Sequence, residues 1–505
     1  MNATPFDVLV VGGGVNGTGI ARDAAGRGLS VLLAEQGDLA EGTSSRSSKL
    51  VHGGLRYLEQ YEFRLVREAL SEREVLLRAA PHLIRPLRFV LPHAPDMRPS
   101  WMIRLGLLLY DHLGGRHRLP ASRRLDLQQA PEGDALKPQF HTGFAYSDCW
   151  VEDARLVVLN ALDAARRGAR IRLHTRLIEA RREAGVWRAR LAAPDGTTEE
   201  IAARIVVNAA GPWVEQVLHF MVGVQSAARV RLIKGSHLVT ARPWAGEQAY
   251  ILQNPDRRIV FLIPFEQDLA IVGTTDEPYA GSPEAVATTA SERNYLLAAA
   301  NRYLRRPLVP SDIVYEYSGV RPLFDDQARD PASVTRDYVL VLDAAHGAAP
   351  LLSVYGGKIT TYRRLAEHAL ERLRKFLPGL GPEFTRAEPL PGGDIPGTDF
   401  AAFARGLAAR FAFLPPSLAH HYARLYGTRA LALLEHAHGI ADLGRHFGAQ
   451  LFECEADFLI RNEWAETAED ILFRRTRHHL HLSAAEQQAF ARWMAQARTQ
   501  QQRYC

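Results

Sequence analysis

Cysteine is scarce in this 505-residue chain. Cys149, Cys454 and Cys505 lie far apart, and no two have the spacing of a metal-ligand pair. That excludes a disulfide framework and fits a reducing compartment. Long hydrophobic runs are missing as well. The nearest approach, Trp101 to Tyr110, is broken by Arg104 and closed by Asp111, short of the roughly 18 apolar residues needed to cross a bilayer. The opening Met1-Asn2-Ala3-Thr4-Pro5 has no basic stretch and no cleavage site, so no signal peptide is expected. There are no internal repeats, no basic run longer than three residues and no DNA- or RNA-binding motif, which leaves little support for a non-enzymatic nucleic-acid binder. Neither sign of charge dominates: 61 basic against 56 acidic residues give +5. That mild excess suits an anionic partner without choosing among nucleic acid, membrane surface and small substrate.

What is present is ample apolar material, 47% of residues, with 39 Gly and 28 Pro. The length sets a prior of roughly three domains. Asp7 to Val11 reads as a buried strand, Gly12 to Gly19 as a turn entering a helix that runs to about Arg27-Gly28, and Leu29 to Glu35 as a second strand. A unit of this length has parallel strands and a right-handed crossover. Further strands are expected at 170–173, 186–192, 205–212 (ending in a turn), 258–264, 269–274 and 338–342. Ten of the twenty residues from 378 to 397 are Pro or Gly, the composition of a linker. Beyond it strand signals vanish and helical spacing takes over, so 398–505 is expected to be a separate helical domain.

Gly12, Gly14 and Gly17 form G-x-G-x-x-G directly after a strand and at the start of a helix. The first glycine permits the sharp turn, the second lets backbone approach a pyrophosphate, and the third allows close helix–strand packing. The helix start then offers unpaired N–H groups to phosphates. Glu35, 18 residues after Gly17, is placed to hold a ribose hydroxyl pair. The motif alone does not separate NAD from FAD. Clustered hydroxyls and a Lys follow, in Gly42-Thr43-Ser44-Ser45-Arg46-Ser47-Ser48-Lys49-Leu50-Val51-His52-Gly53-Gly54-Leu55-Arg56-Tyr57. Read alone, such a stretch is more often a solvated loop.

Together, these segments closely resemble the FAD-dependent sn-glycerol-3-phosphate dehydrogenases of aerobic bacteria. The resemblance extends through Tyr146 to Leu156, Val207 to Trp213, Leu232 to His237, Tyr317 to Leu323, Ser353 to Arg363, Glu463-Trp464-Ala465 and Arg474-Arg475-Thr476. Arg46, a basic residue inside the Ser-rich run, is a small departure. The resemblance implies a mixed α/β fold: a Rossmann-like FAD-binding domain interleaved with a β-sheet substrate domain, followed by an all-helical C-terminal domain. The core would span 1–377, with FAD parts near 1–80, 145–215 and 335–377 and substrate parts near 81–144 and 216–334. FAD is expected against Gly12, Gly14, Asn16, Gly17, Glu35, Thr43, Ser44, Ser45, Ser48, Lys49, Leu50, His52, Gly53, Gly211, Gly356, Gly357 and Lys358.

A phosphate ester needs guanidinium forks or ammonium groups, which make short charge-assisted hydrogen bonds. Arg56, Tyr57, Arg321, Arg336 and Lys358 are the expected substrate contacts. Oxidising an alcohol carbon also needs a base for the hydroxyl proton, and histidine is the natural one near neutral pH. His52 and His237 rank equally, and Arg321 and Lys358 complete the expected catalytic set. His478-His479-Leu480-His481 lacks the i, i+4 spacing of a helical metal pair and is expected to be a surface cluster; no metal is expected. The implied reaction turns sn-glycerol 3-phosphate into dihydroxyacetone phosphate and passes electrons to ubiquinone. A glycerophosphate oxidase using oxygen is the nearest alternative. The resemblance further implies peripheral binding to the cytoplasmic side of a bacterial inner membrane and leaves a homodimer open. Residues 98–118, with Trp101, Leu105, Leu108, Leu109 and Tyr110 beside Arg98, Arg104, Arg116 and Arg118, fit either an interfacial amphipathic element or a helix buried on the core.

Overall fold

The structure, a computed structural model, describes residues 4–94, 98–115, 118–224, 226, 228–256, 258–325 and 337–504. Strand β1 (Phe6–Val11), helix α1 (Val15–Gly26) and strand β2 (Val31–Ala34) form the expected crossover unit. Val8 to Val11 are buried on both faces, which is why this strand reads as an unbroken apolar run rather than an alternation. β1 sits in a sheet of order Val339–Asp343, Leu351–Tyr355, Thr198–Asn208, β1, β2, Arg170–Arg172. The last five of these strands run parallel and Val339–Asp343 antiparallel. A hairpin of Arg176–Glu183 and Val186–Ala192 extends Thr198–Asn208. Helix α1 lies over one face, where Ile20, Ala21 and Ala24 pack against Val8, Val10 and Val207 and against Leu365 and Leu370 of the helix Tyr362–Leu373.

A second sheet holds long antiparallel strands, among them Ile84–His93, Thr142–Val151, Val230–Ala241, Ile259–Phe265, Leu269–Gly273 and Ile313–Phe324. Residues 398–504 are helical around Leu407, Phe411, Tyr422, Leu459 and Phe490. The one strand pairing within them is a two-stranded ladder, His446–Gly448 with Leu451–Phe452. It is too short to leave a period-2 signal, and its turn puts Ala449 at φ 44.

The Pro/Gly-rich segment is laid down as a strap. Gly381 N–H donates to the Arg27 carbonyl at 2.9 Å, and Arg27 Nε donates back to the Gly381 carbonyl at 2.9 Å. Arg22 Nη2 donates to the carbonyls of Glu388 and Pro389, and Leu390 N–H, its side chain fully buried, donates to Ala79 at 2.8 Å. Helix Ser100–Leu113 buries Leu107 and Tyr110 but leaves Trp101, Leu105 and Leu108 at 65%, 49% and 53% exposure. Its outer face is therefore apolar and uncovered in this chain. Arg116 lies outside the described residues. No helix among the described residues is long and apolar enough to cross a membrane.

Candidate functional site

The carboxyl ends of the parallel strands face the second sheet across a cavity of about 1110 Å³, the usual ligand position in an open α/β sheet. The glycine turn builds one wall. Gly12 has φ +113, and a Cβ there would lie 2.5 Å from the Ala209 carbonyl oxygen; one at Gly17 would lie 1.9 Å from the Gly12 carbonyl oxygen. Gly14 differs: its backbone is ordinary (φ −79), and a Cβ would meet only Ser44 Oγ, at 3.2 Å. Two glycines thus serve packing, while the third keeps a face open.

Glu35 accepts from Gly13 N–H at 2.6 Å and Gly37 N–H at 2.8 Å. Burial raises its pKa against the pull of those two donors. Ser44 Oγ accepts from Val15 N–H at 3.0 Å, and Thr43 Oγ1 donates to the Val320 carbonyl at 2.6 Å. Asn16 Nδ2 donates to the Gly356 carbonyl at 3.1 Å, while its Oδ1 is buried without a protein partner. Gly356 and Gly357 take φ of +70 and +98, turning the chain from strand Leu351–Tyr355 into the helical turn Ile359–Thr361 and the helix Tyr362–Leu373.

The expected catalytic residues converge. His52, Arg56, Tyr57, His237, Arg321 and Lys358 all line the cavity. Lys358 Nζ sits 3.8 Å from the centre of the Tyr57 ring, a cation–π contact. Arg321 Nη1 pairs with Asp276 Oδ1 at 2.5 Å, and its Nη2 donates to Thr274 Oγ1 at 3.1 Å. The guanidinium lies over Gly235, where a Cβ would come within 2.6 Å of Nη2. His237 lies similarly over Gly273, stacks on Tyr317 at 4.7 Å and 9°, and shares a 2.8 Å hydrogen bond between Nε2 and Ser48 Oγ. Its Nδ1 is buried and unpartnered. Burial, then Arg321 and Lys49, push its pKa well down. His52 is held through its backbone N–H to Thr360 Oγ1 at 3.2 Å. Burial lowers its pKa, Asp148 pulls it back up, and Lys358 and Arg73 press it down again. Both shifts favour the neutral ring.

Of the expected cofactor contacts, Gly12, Gly14, Asn16, Glu35, Thr43, Ser44, Ser48, Leu50, His52, Gly211, Gly356, Gly357 and Lys358 line this cavity. Gly17, Ser45, Lys49 and Gly53 do not. Lys49, at φ +57, turns away and is buried, with Nζ 2.9 Å from both carboxylate oxygens of Asp153. Gly53 N–H donates to Tyr110 Oη at 2.8 Å. Arg336 lies outside the described residues. The histidine cluster is not a surface feature throughout: His478 is 3% exposed, with Nε2 3.2 Å from Glu455 Oε2, and His479 stacks on Phe473 at 4.0 Å. Packing of the C-terminal helices, invisible to i, i+4 spacing, draws them inward. Sequence reasoning passed over Thr274 and Asp276. Their signal was a polar Thr-Thr-Asp cluster ending an apolar strand. Arg46, the departure noted above, lines the cavity with its Nη1 3.4 Å from the Ser318 carbonyl.

The donor set fits a dinucleotide: an open glycine face, a carboxylate at the end of β2, hydroxyls over a helix start and an orphaned Asn16 Oδ1. Residues 7–363 match the family model described as FAD dependent oxidoreductase, and 384–501 the C-terminal domain of alpha-glycerophosphate oxidase. The chain is 54% identical over 97% of its length to D-erythritol 1-phosphate dehydrogenase of Brucella abortus, covering 98% of that protein. It is 53% identical over 96% of its length to glycerol-3-phosphate dehydrogenase of Pseudomonas aeruginosa, covering 94%. It also resembles the solved structure of the Bacillus halodurans glycerol-3-phosphate dehydrogenase complexed with FAD, with TM-score 0.78, 28% identity and coverage of 98% and 91% of the two chains. The chain is thus an FAD-dependent oxidoreductase, and it belongs to the FAD-dependent glycerol-3-phosphate dehydrogenase and oxidase family.

Proposed function

We propose that the protein oxidises sn-glycerol 3-phosphate at C2 to dihydroxyacetone phosphate. The observation that carries this reading is one cavity that gathers cations for a phosphate and a neutral imidazole beside a dinucleotide cradle. Arg56 and Lys358 line it and, among the described residues, neither forms an ion pair with a carboxylate. They and Arg321 would hold the phosphate. His52 is the better-placed base, because His237 already commits Nε2 to Ser48 and buries Nδ1. The C2 hydroxyl gives its proton to His52 while its C–H pair leaves as hydride, so the C2–O bond becomes a carbonyl. His237, braced by Tyr317 and Ser48, orients the substrate. When bound, FAD supplies the hydride acceptor and hands the electrons on to a quinone.

A membrane acceptor agrees with the uncovered apolar face of Ser100–Leu113, which suits peripheral attachment to the cytoplasmic side of an inner membrane. Adding glycerol 3-phosphate anaerobically to the FAD-loaded protein should bleach the flavin absorbance; no bleaching would refute the reading. The 54% identity to a D-erythritol 1-phosphate dehydrogenase favours a second substrate of the same chemistry, with one more carbon. Bleaching by erythritol 1-phosphate at a higher kcat/KM would put that substrate first. Stoichiometric hydrogen peroxide in air would replace quinone by oxygen.

A further inference from the structure

The C-terminal domain contributes no residue to the cavity wall among the described residues; the lining ends at Thr360. Yet its Arg474–Arg477 run grips both ends of the loop that forms that wall. At the first end lies Asp38, 1% exposed, between the cavity-lining residues Gly37 and Ala40. It receives Arg474 Nε at 2.6 Å and both Arg475 terminal nitrogens at 2.6 and 2.7 Å. At the other end, Asp153 takes Arg477 Nη2 at 3.0 Å, Ser47 Oγ at 2.8 Å and Lys49 Nζ at 2.9 Å. Arg477 Nε reaches Glu152 at 2.7 Å as well. The next residue along the loop, Ser48, holds His237 at 2.8 Å, and Tyr317, stacked on His237, donates to the Ser47 carbonyl at 2.9 Å. Arg477 and Lys49, the two cations sharing Asp153, both sit at positive φ, +86 and +57. A non-glycine residue keeps that conformation only where its surroundings hold it there.

We propose that Arg474, Arg475 and Arg477 are positioning residues: through Asp38 and Asp153 they fix residues 36–49 in the shape that receives the cofactor and, through Ser48, orient His237. The His237 part rests on the reading above; the loop part does not. A partner removed from a buried ion pair leaves a charge uncompensated, which is costly enough to reshape a loop.

The test uses the full-length protein with Arg477→Gln and Arg477→Lys. Hydrogen exchange of the apoprotein should accelerate by about tenfold or more in peptides covering 36–49 with Arg477→Gln, and FAD should bind about tenfold or more weakly. In the FAD-saturated variant kcat should fall with KM little changed, and Arg477→Lys should restore part of each effect. Wild-type exchange in 36–49 together with wild-type FAD affinity would overturn the proposal, even if the melting temperature dropped. Should Arg477→Gln not fold, Ser47→Ala removes the hydroxyl's bonds to Asp153 and to Lys49 N–H; faster exchange over 44–48, apart from Lys49 itself, supports the proposal and unchanged exchange there overturns it. Loop and FAD effects in a protein inert toward glycerol 3-phosphate would sink the substrate reading alone.

Discussion

Gly14→Ala separates the two duties of the glycine turn. The backbone at Gly14 (φ −79, ψ −177) suits any residue, and the added methyl would meet one protein atom within 4 Å, Ser44 Oγ at 3.2 Å. A shift of a few tenths of an ångström in that hydroxyl costs about 0.5 to 1 kcal/mol. The same methyl stands on the cavity side of the helix start, where backbone N–H groups would meet a pyrophosphate. Losing one charge-assisted hydrogen bond there costs about 1.5 to 3 kcal/mol, or roughly 10- to 150-fold in FAD dissociation constant. Gly12→Ala is the contrast, with its Cβ 2.5 Å from a backbone oxygen at φ +113. Apoprotein melts and FAD titrations by fluorescence quenching would be run on all three proteins. Gly14→Ala should melt within a few degrees of wild type and bind FAD weakly, whereas Gly12→Ala should fail to fold normally. Wild-type FAD affinity for Gly14→Ala, or a melt as poor as that of Gly12→Ala, would refute the division of labour.

Arg321→Ala should retain its flavin spectrum but lose roughly 10- to 150-fold in kcat/KM for glycerol 3-phosphate, since the proposed phosphate contact would be worth about 1.5 to 3 kcal/mol; loss of flavin would make Arg321 structural. The acidic limb of kcat/KM should lie below the ordinary histidine value, because burial lowers the His52 pKa. In a stopped-flow pH profile His52→Asn should abolish that limb, and His237→Asn should lower kcat while leaving it in place. Leu105→Glu with Leu108→Glu should abolish liposome co-sedimentation without changing turnover with a soluble dye acceptor. Burial raises the Glu463 carboxyl, but Arg155 and Arg429 outweigh it and hold it at about 2, below its ordinary 4.5. Its stabilisation is therefore full above the unfolded value and lost as pH falls through the folded one. Acid unfolding followed by circular dichroism should lose that pH dependence in Glu463→Gln.

Much of the first sheet was legible, because a parallel strand buried on both faces leaves a continuous apolar run and the glycine turn has a fixed geometry. The strand at 186–192 appears with those bounds; in the second sheet the strands expected at 258–264 and 269–274 appear as Ile259–Phe265 and Leu269–Gly273. Four other long strands of the second sheet, Ile84–His93, Thr142–Val151, Val230–Ala241 and Ile313–Phe324, were not read as strands from periodicity; Thr142–Val151 is buried along almost its whole length and carries Ser147, Asp148 and Cys149 inward. At the site, residue type and neighbours pointed to Arg321 and His52. They did not point to Asp276, whose importance lies in a pairing to Arg321 that only the folded chain creates; Ser48 was expected against the cofactor, but its bond to His237 is visible only in the fold. Lys49 shows the reverse error of pattern reading: a lysine in a hydroxyl-rich loop invites a phosphate, yet Asp153, 104 residues away, claims it.

The strap between Gly381 and Leu390 bears on how this molecule can be divided. Its Pro/Gly-rich composition marks it as the place to cut, yet its carbonyls are the acceptors for Arg22 and Arg27, and Leu390 is sealed between the parts it joins. A fragment ending at 378 would carry off none of those acceptors and would expose two arginines built to be covered. For chimeras, the seam that keeps the bonds to Arg22 and Arg27 is therefore not the linker's start but its far side, near Asp394, with the strap travelling as part of the flavin half.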